Sequence, residues 1–178
     1  MVPWLATAKD GEPGHPLYVS PRQTAGRLDN PDLYRVLYLA ESPSAAVAEA
    51  FGSFELWTPA MFGELPTLPG SRRALATYDV PNEIPILDLN DGKALVDWSL
   101  RPSEVVSRDR GLTQGWARRI FGSGRFGGVR WWSFYNPDWI SIGLWDYTRI
   151  SVTAVNLLVS GSPAFEEARL TLMRSWVR

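Results

Sequence analysis

The sequence contains no cysteine. That excludes disulfides, thiolate metal sites and a cysteine nucleophile together. Histidine is nearly as scarce, with His15 the single example, so a histidine-rich metal site is excluded and no metal is expected. A Ser-His-Asp triad would have to use His15, in the Gly/Pro-rich stretch from Gly11 to Pro16, where no supporting pattern appears. A loop or partly buried histidine is the plainer expectation. No apolar run approaches the roughly 20 residues needed to cross a bilayer. Met1-Val2-Pro3-Trp4 lacks the basic stretch and apolar core of a secretory signal, and the expected location is the cytoplasm. The formal charge of −1 supplies no field that would favour nucleic acid. Arg72-Arg73 and Arg118-Arg119 read as solvated faces.

What is present points to a globular enzyme-sized chain. Its 178 residues, 45% of them hydrophobic, fit a single domain with a real core over 1–178. Nine tryptophans are unusual for this length. Most should fill the core, although exposed tryptophans could instead form a stacking platform for carbohydrate.

Along the chain, Pro16–Val19 reads as a short strand and Tyr34–Ala40 as a buried one, with Tyr34, Val36 and Tyr38 on one face. A helix should follow, with Ser42 as N-cap, Pro43 in its first position and Gly52 as its stop. Val47 and Phe51 would face the core, while Glu49 shares another face with Ala45 and Ala46, whose small side chains leave room beside it. Residues 53–73 look irregular. Leu75–Val80 and Ile84–Leu89 read as strands, and Asp91–Arg108 as partly helical. A second helix is predicted from an N-cap at Thr113 to Phe121. Gly128–Ser133 and Ile140–Asp146 read as strands joined by a turn at Asn136-Pro137-Asp138, and Ser151–Leu158 as another strand. Ser162–Trp176 reads as an amphipathic helix in which Phe165, Ala168, Leu172 and Trp176 recur at helical spacing. The predicted class is α+β, a mixed or antiparallel β core flanked by helices. Gly122–Gly128 contains a Gly-x-Gly-x-x-Gly pattern, but it follows a helix instead of opening one, so a loop is expected and not a dinucleotide fingerprint.

Gly26-Arg27-Leu28-Asp29-Asn30-Pro31, then Val36-Leu37-Tyr38-Leu39-Ala40, then Ala45-Ala46-Val47-Ala48-Glu49 resemble the signature of the RES family. A second block agrees: Thr113-Gln114-Gly115-Trp116-Ala117, followed by Phe126-Gly127-Gly128-Val129-Arg130-Trp131-Trp132-Ser133. The resemblance covers about residues 15–150. It implies that Arg27, Glu49 and Ser133 are the naming arginine, glutamate and serine, with Tyr38 an accompanying site residue. It also implies a fold similar to ADP-ribosyltransferases, NAD as substrate with no prosthetic group, and a toxin paired with an Xre-type antitoxin protein. The chain departs from the family at two places. Val2–Ala6 carries no arginine where members have one upstream, and Leu28 stands where they have a bulky aromatic.

The residue chemistry fits that task. Breaking the nicotinamide–ribose bond builds positive charge on the sugar, as glycoside hydrolysis does. Glu49 can stabilise that charge, and Arg27 offers a planar donor fork to phosphate. Tyr38 can stack on nicotinamide or use its hydroxyl, and Ser133 can donate to ribose or phosphate. The ADP-ribose acceptor stays open among inorganic phosphate, water and a protein side chain. A catalytically silent RES-fold protein that binds a nucleotide or a partner is the alternative reading.

Overall fold

The computed structural model describes residues 1–177. The chain divides into two compact units that alternate along the sequence. Unit 1 comprises Met1–Tyr18, Ala40–Asp79 and Ser151–Arg178, and unit 2 comprises Val19–Leu39 and Val80–Ile150. Strands and helices are mixed in both, so the class is α+β. No helix among the described residues is long and apolar enough to cross a membrane.

Unit 1 is built on an antiparallel sheet with β4 (Arg72–Asp79) between β1 (Val2–Trp4) and β8 (Ser151–Leu157). Helix α1 (Pro43–Phe51) begins as its sequence requires. The Ser42 side chain accepts the Ala45 N–H at 3.1 Å, Pro43 opens the first turn, and the Gly52 N–H closes on the Ala48 carbonyl at 2.7 Å. Val47 and Phe51 are buried, as their spacing predicts. Trp57, on the short strand β3 (Leu56–Trp57), is fully buried and meets Phe51 at 5.8 Å and Phe165 at 5.0 Å between ring centroids. Two such rings contribute tilted or edge contacts beyond their buried area.

The last helix is shorter than its apolar spacing predicts. α5 runs Pro163–Thr171, where Phe165 and Ala168 are buried. It stops because Met173 adopts φ +51, and the Met173 and Arg174 N–H groups bond back to the Leu170 and Arg169 carbonyls. This pair of bonds satisfies carbonyls the helix would otherwise leave open. Trp176 therefore lies on β9 (Ser175–Trp176), paired in parallel with β3, and reaches Phe165 from a strand. Pro16–Val19 is not a strand: the Leu17 and Tyr18 N–H groups fold back onto the His15 side chain and carbonyl.

Unit 2 carries a four-stranded sheet ordered β2 (Leu37–Ala40), β7 (Ile140–Leu144), β6 (Gly128–Trp132), β5 (Ile86–Asp88). β6 runs antiparallel to β7 and parallel to β5. The irregular 91–108 stretch holds two short helices, α2 (Gly92–Asp97) and α3 (Pro102–Val105). Helix α4 (Arg110–Gly122) starts earlier than Thr113 because Asp109 is the cap, its Oδ1 accepting the Leu112 N–H at 3.2 Å. Thr113 is instead buried within the helix. Strand β2 is shorter than predicted, since the Val36 backbone pairs with the Gln23 side chain in place of a neighbouring strand. All nine tryptophans are buried or half-buried, which removes the exposed carbohydrate platform. In the Gly122–Gly128 stretch, a Cβ at Gly127 would lie 2.7 Å from Ile84 Cγ2, so close packing explains this glycine without a phosphate.

Leu28, the departure after Gly-Arg, is fully buried in this unit's core with Val36, Val129 and Trp131. A Cβ on Gly143 would collide with Leu28 Cδ1 and lie 3.1 Å from Val36 Cγ1. Gly143→Ala should overpack this spot and lower the unfolding free energy by roughly 1–3 kcal/mol. Urea denaturation would register the loss as a lower midpoint with an unchanged slope.

Candidate functional site

Arg27 sits in a turn fixed by its immediate neighbours. The Gly26 N–H donates to Asp29 Oδ2 at 2.6 Å, and the Tyr38 hydroxyl donates to Asp29 Oδ1 at 2.7 Å. The same hydroxyl accepts the Leu28 N–H at 2.9 Å. A side chain at Gly26 would strike the Tyr38 hydroxyl and come within 2.5 Å of Asp29 Oδ1. Glycine is therefore required by the close approach of this pair.

A second set of bonds holds the far side of the turn. Asn30 Nδ2 donates to the Leu28 carbonyl, the Tyr34 hydroxyl and the Gln114 carbonyl at 3.2, 2.9 and 3.1 Å. Gln114 Nε2, from α4, donates to the Thr24 and Gly26 carbonyls at 3.0 and 2.9 Å. The guanidinium of Arg27 is then aimed by two carbonyls: its Nη1 donates to Val105 at 2.5 Å and to Ser107 at 2.8 Å. Backbone at the end of α3 and just after it thus orients a side chain from the opening loop of the unit.

Ser133 follows β6 directly and is buried. Its N–H donates to the Trp139 carbonyl at 2.6 Å, and its Oγ accepts the Tyr135 N–H at 3.1 Å. The loop that holds Arg27 also reaches the neighbour of Ser133. Arg108, next after Ser107, lays its guanidinium over the Phe134 ring at 4.5 Å from the centroid. Arg27, Tyr38 and Ser133 are therefore tied to one region of unit 2. Glu49 belongs to unit 1, where it is exposed on α1 beyond the buried Ala45.

Tyr38 has a different job from the one its residue type alone allows. Its hydroxyl is committed to the turn, while the residue as a whole is 37% exposed. Asp29, Asn30, Gln114 and Arg108 were not singled out by sequence as site residues. The signal for the first two is local, because Asp and Asn after Gly-Arg are turn residues whose side chains bond nearby backbone. The signal for Gln114 was the Thr-Gln-x-x-Ala pattern itself. Arg108 carried none.

The RES domain family matches residues 3–159, and the chain belongs to that family. No curated protein and no solved structure matches it. The family is known in toxin–antitoxin systems and is associated with NAD-related enzymatic activity.

Burial and the nearby carboxylates hold both tyrosines protonated. Burial is the larger cause of Tyr34's rise from 10.0 to about 12, opposed in part by the Asn30 hydrogen bond. Tyr38 is raised as well, by burial first and then by the charge and hydrogen bond of Asp29. Folded values above the unfolded value of 10.0 mean the contribution is complete below that pH and is lost as pH climbs through the folded value. Stability should therefore hold to near pH 10 and fall toward pH 12. Tyr38→Phe should flatten part of that fall. At neutral pH it should cost about 1–3 kcal/mol, because a buried carboxylate oxygen and an N–H lose their partner. Urea midpoints of the two proteins across alkaline pH would check both.

Proposed function

We propose that the chain consumes NAD by breaking the bond between ribose C1′ and the nicotinamide nitrogen. The observation that carries this reading is the turn at Arg27 in a RES-family chain: a guanidinium aimed by the Val105 and Ser107 carbonyls, beside an arginine, Arg108, that rests on the residue after Ser133. A positioned arginine suits the diphosphate of a dinucleotide, since its fork matches two oxyanions. Ser133 supplies a short polar side chain for ribose or phosphate, and the exposed Tyr38 ring a stacking face.

In the reaction, the C1′–N bond breaks and its electron pair leaves with nicotinamide, which becomes neutral. Positive charge grows on the ribose and needs a carboxylate nearby. Glu49 is assigned that role. An acceptor oxygen forms the new bond to C1′ and its proton goes to solvent. Because the departing ring carries its own positive charge, no strong acid is needed. Phosphate, water or a protein side chain serves equally in this scheme as acceptor. The substrate is NAD, and an Xre-type antitoxin is the proposed partner of the toxin, acting in the cytoplasm. An ADP-ribosyltransferase-like arrangement of the mixed sheet belongs to the same reading.

A purified chain free of antitoxin should deplete NAD and release nicotinamide, followed by chromatography with and without added phosphate. Arg27→Ala and Glu49→Gln should each lower kcat by roughly 10²- to 10³-fold, as loss of one oriented electrostatic group does. Glu49→Gln should melt like the parent, while Arg27→Ala should stay folded but melt lower, because the Val105 and Ser107 carbonyls lose their donor. Full activity in either variant would remove that residue from the mechanism. Heat on titrating NAD with no nicotinamide released would support instead a silent nucleotide-binding protein.

A further inference from the structure

Unit 2 holds a cation that the reading above does not use. Arg108 is exposed, and its only described interaction is with the Phe134 ring, itself 50% exposed. It pairs with no carboxylate among the described residues. The nearest acid in sequence, Asp109, is spent on capping α4. Arg110, the first residue of α4, has a buried Nη1 without a hydrogen-bond partner, which adds a further positive charge. The preceding residue, Ser107, gives its carbonyl to Arg27. Arg108 is thus one residue from a backbone group that fixes Arg27 and in contact with the residue after Ser133.

An exposed cation–π contact is weaker than a charge-assisted bond to an oxyanion. An arginine stored on an exposed ring can therefore be drawn off it by phosphate. Contact with the ring already restricts the side chain beside the residue after Ser133, which limits the rotamer freedom lost on capture.

We propose that Arg108 is a phosphate-binding residue of the nucleotide site, held on Phe134 until a phosphate oxyanion takes its guanidinium. The inference rests on the nucleotide reading for the identity of its ligand. Two sources share this chemistry, the diphosphate of the nucleotide and free phosphate serving as acceptor.

Calorimetric titration of ADP, adenosine and inorganic phosphate into the parent chain, Arg108→Ala and Arg108→Lys separates them. Loss of a charge-assisted bond should weaken ADP binding roughly 10- to 100-fold in Arg108→Ala. Adenosine binding should be unchanged, and Arg108→Lys should recover part of the loss. A drop for inorganic phosphate alone would assign the guanidinium to the acceptor. Equal affinities for ADP and phosphate in parent and Arg108→Ala, or no binding of either by the parent, would overturn the proposal. Thermal midpoints should match, because the side chain is exposed. A chain that binds ADP through Arg108 yet leaves NAD intact would defeat the reaction and keep this site. A chain that consumes NAD with the same KM in Arg108→Ala would keep the reaction and defeat this site.

Discussion

The hydrogen bond from the Tyr38 hydroxyl to the Asp29 carboxylate is the constraint on which the Arg27 turn depends. A buried carboxylate is costly unless it is bonded, and Asp29 is only 4% exposed. A carboxylate two residues from an arginine is a natural partner for its guanidinium. Here Tyr38 and the Gly26 N–H take one bond on each oxygen of that acid. Arg27 Nη1, on the neighbouring residue but one, donates to the Val105 and Ser107 carbonyls. One hydroxyl thus ties the Asp29 carboxylate and the Leu28 N–H together within the turn that carries Arg27.

Several features of the fold were legible because their causes are local. Helix α1 announced itself through Ser42, Pro43 and Gly52, each acting on backbone within one turn. The turn at Asn136 was legible for the same reason, since the Asn136 side chain accepts the Asp138 N–H. The end of α5 was not, because apolar spacing continues to Trp176 while a left-handed Met173 terminates the helix. Methionine gives no warning of that conformation. Strands β3 and β9 also escaped notice. Each is a two-residue strand whose partner lies more than a hundred residues away.

The site was legible as residue types and less so as roles. Arg27, Tyr38 and Ser133 could be named from the family pattern, but the pattern could not show that Tyr38's oxygen is spent inside the turn. Nor could it show that Gln114 supports the Gly26 carbonyl from α4. The leucine after Arg27, a departure from the family pattern, is a change in the core, packed against Gly143 and Val36. A departure from a family pattern acquires meaning only when the direction of the side chain is known.

The carbonyls that aim Arg27 lie 78 and 80 residues further along the chain. At synthesis rates of about 5–20 residues per second, the ribosome needs roughly 4–16 s to supply them after Arg27 is made. Closing so wide a loop comes late in folding, because its entropy must be met before the long-range bonds form. A nascent chain therefore spends its first seconds with an unaimed guanidinium. The delay is a built-in interval in which translation proceeds before the arginine at this turn takes its final orientation.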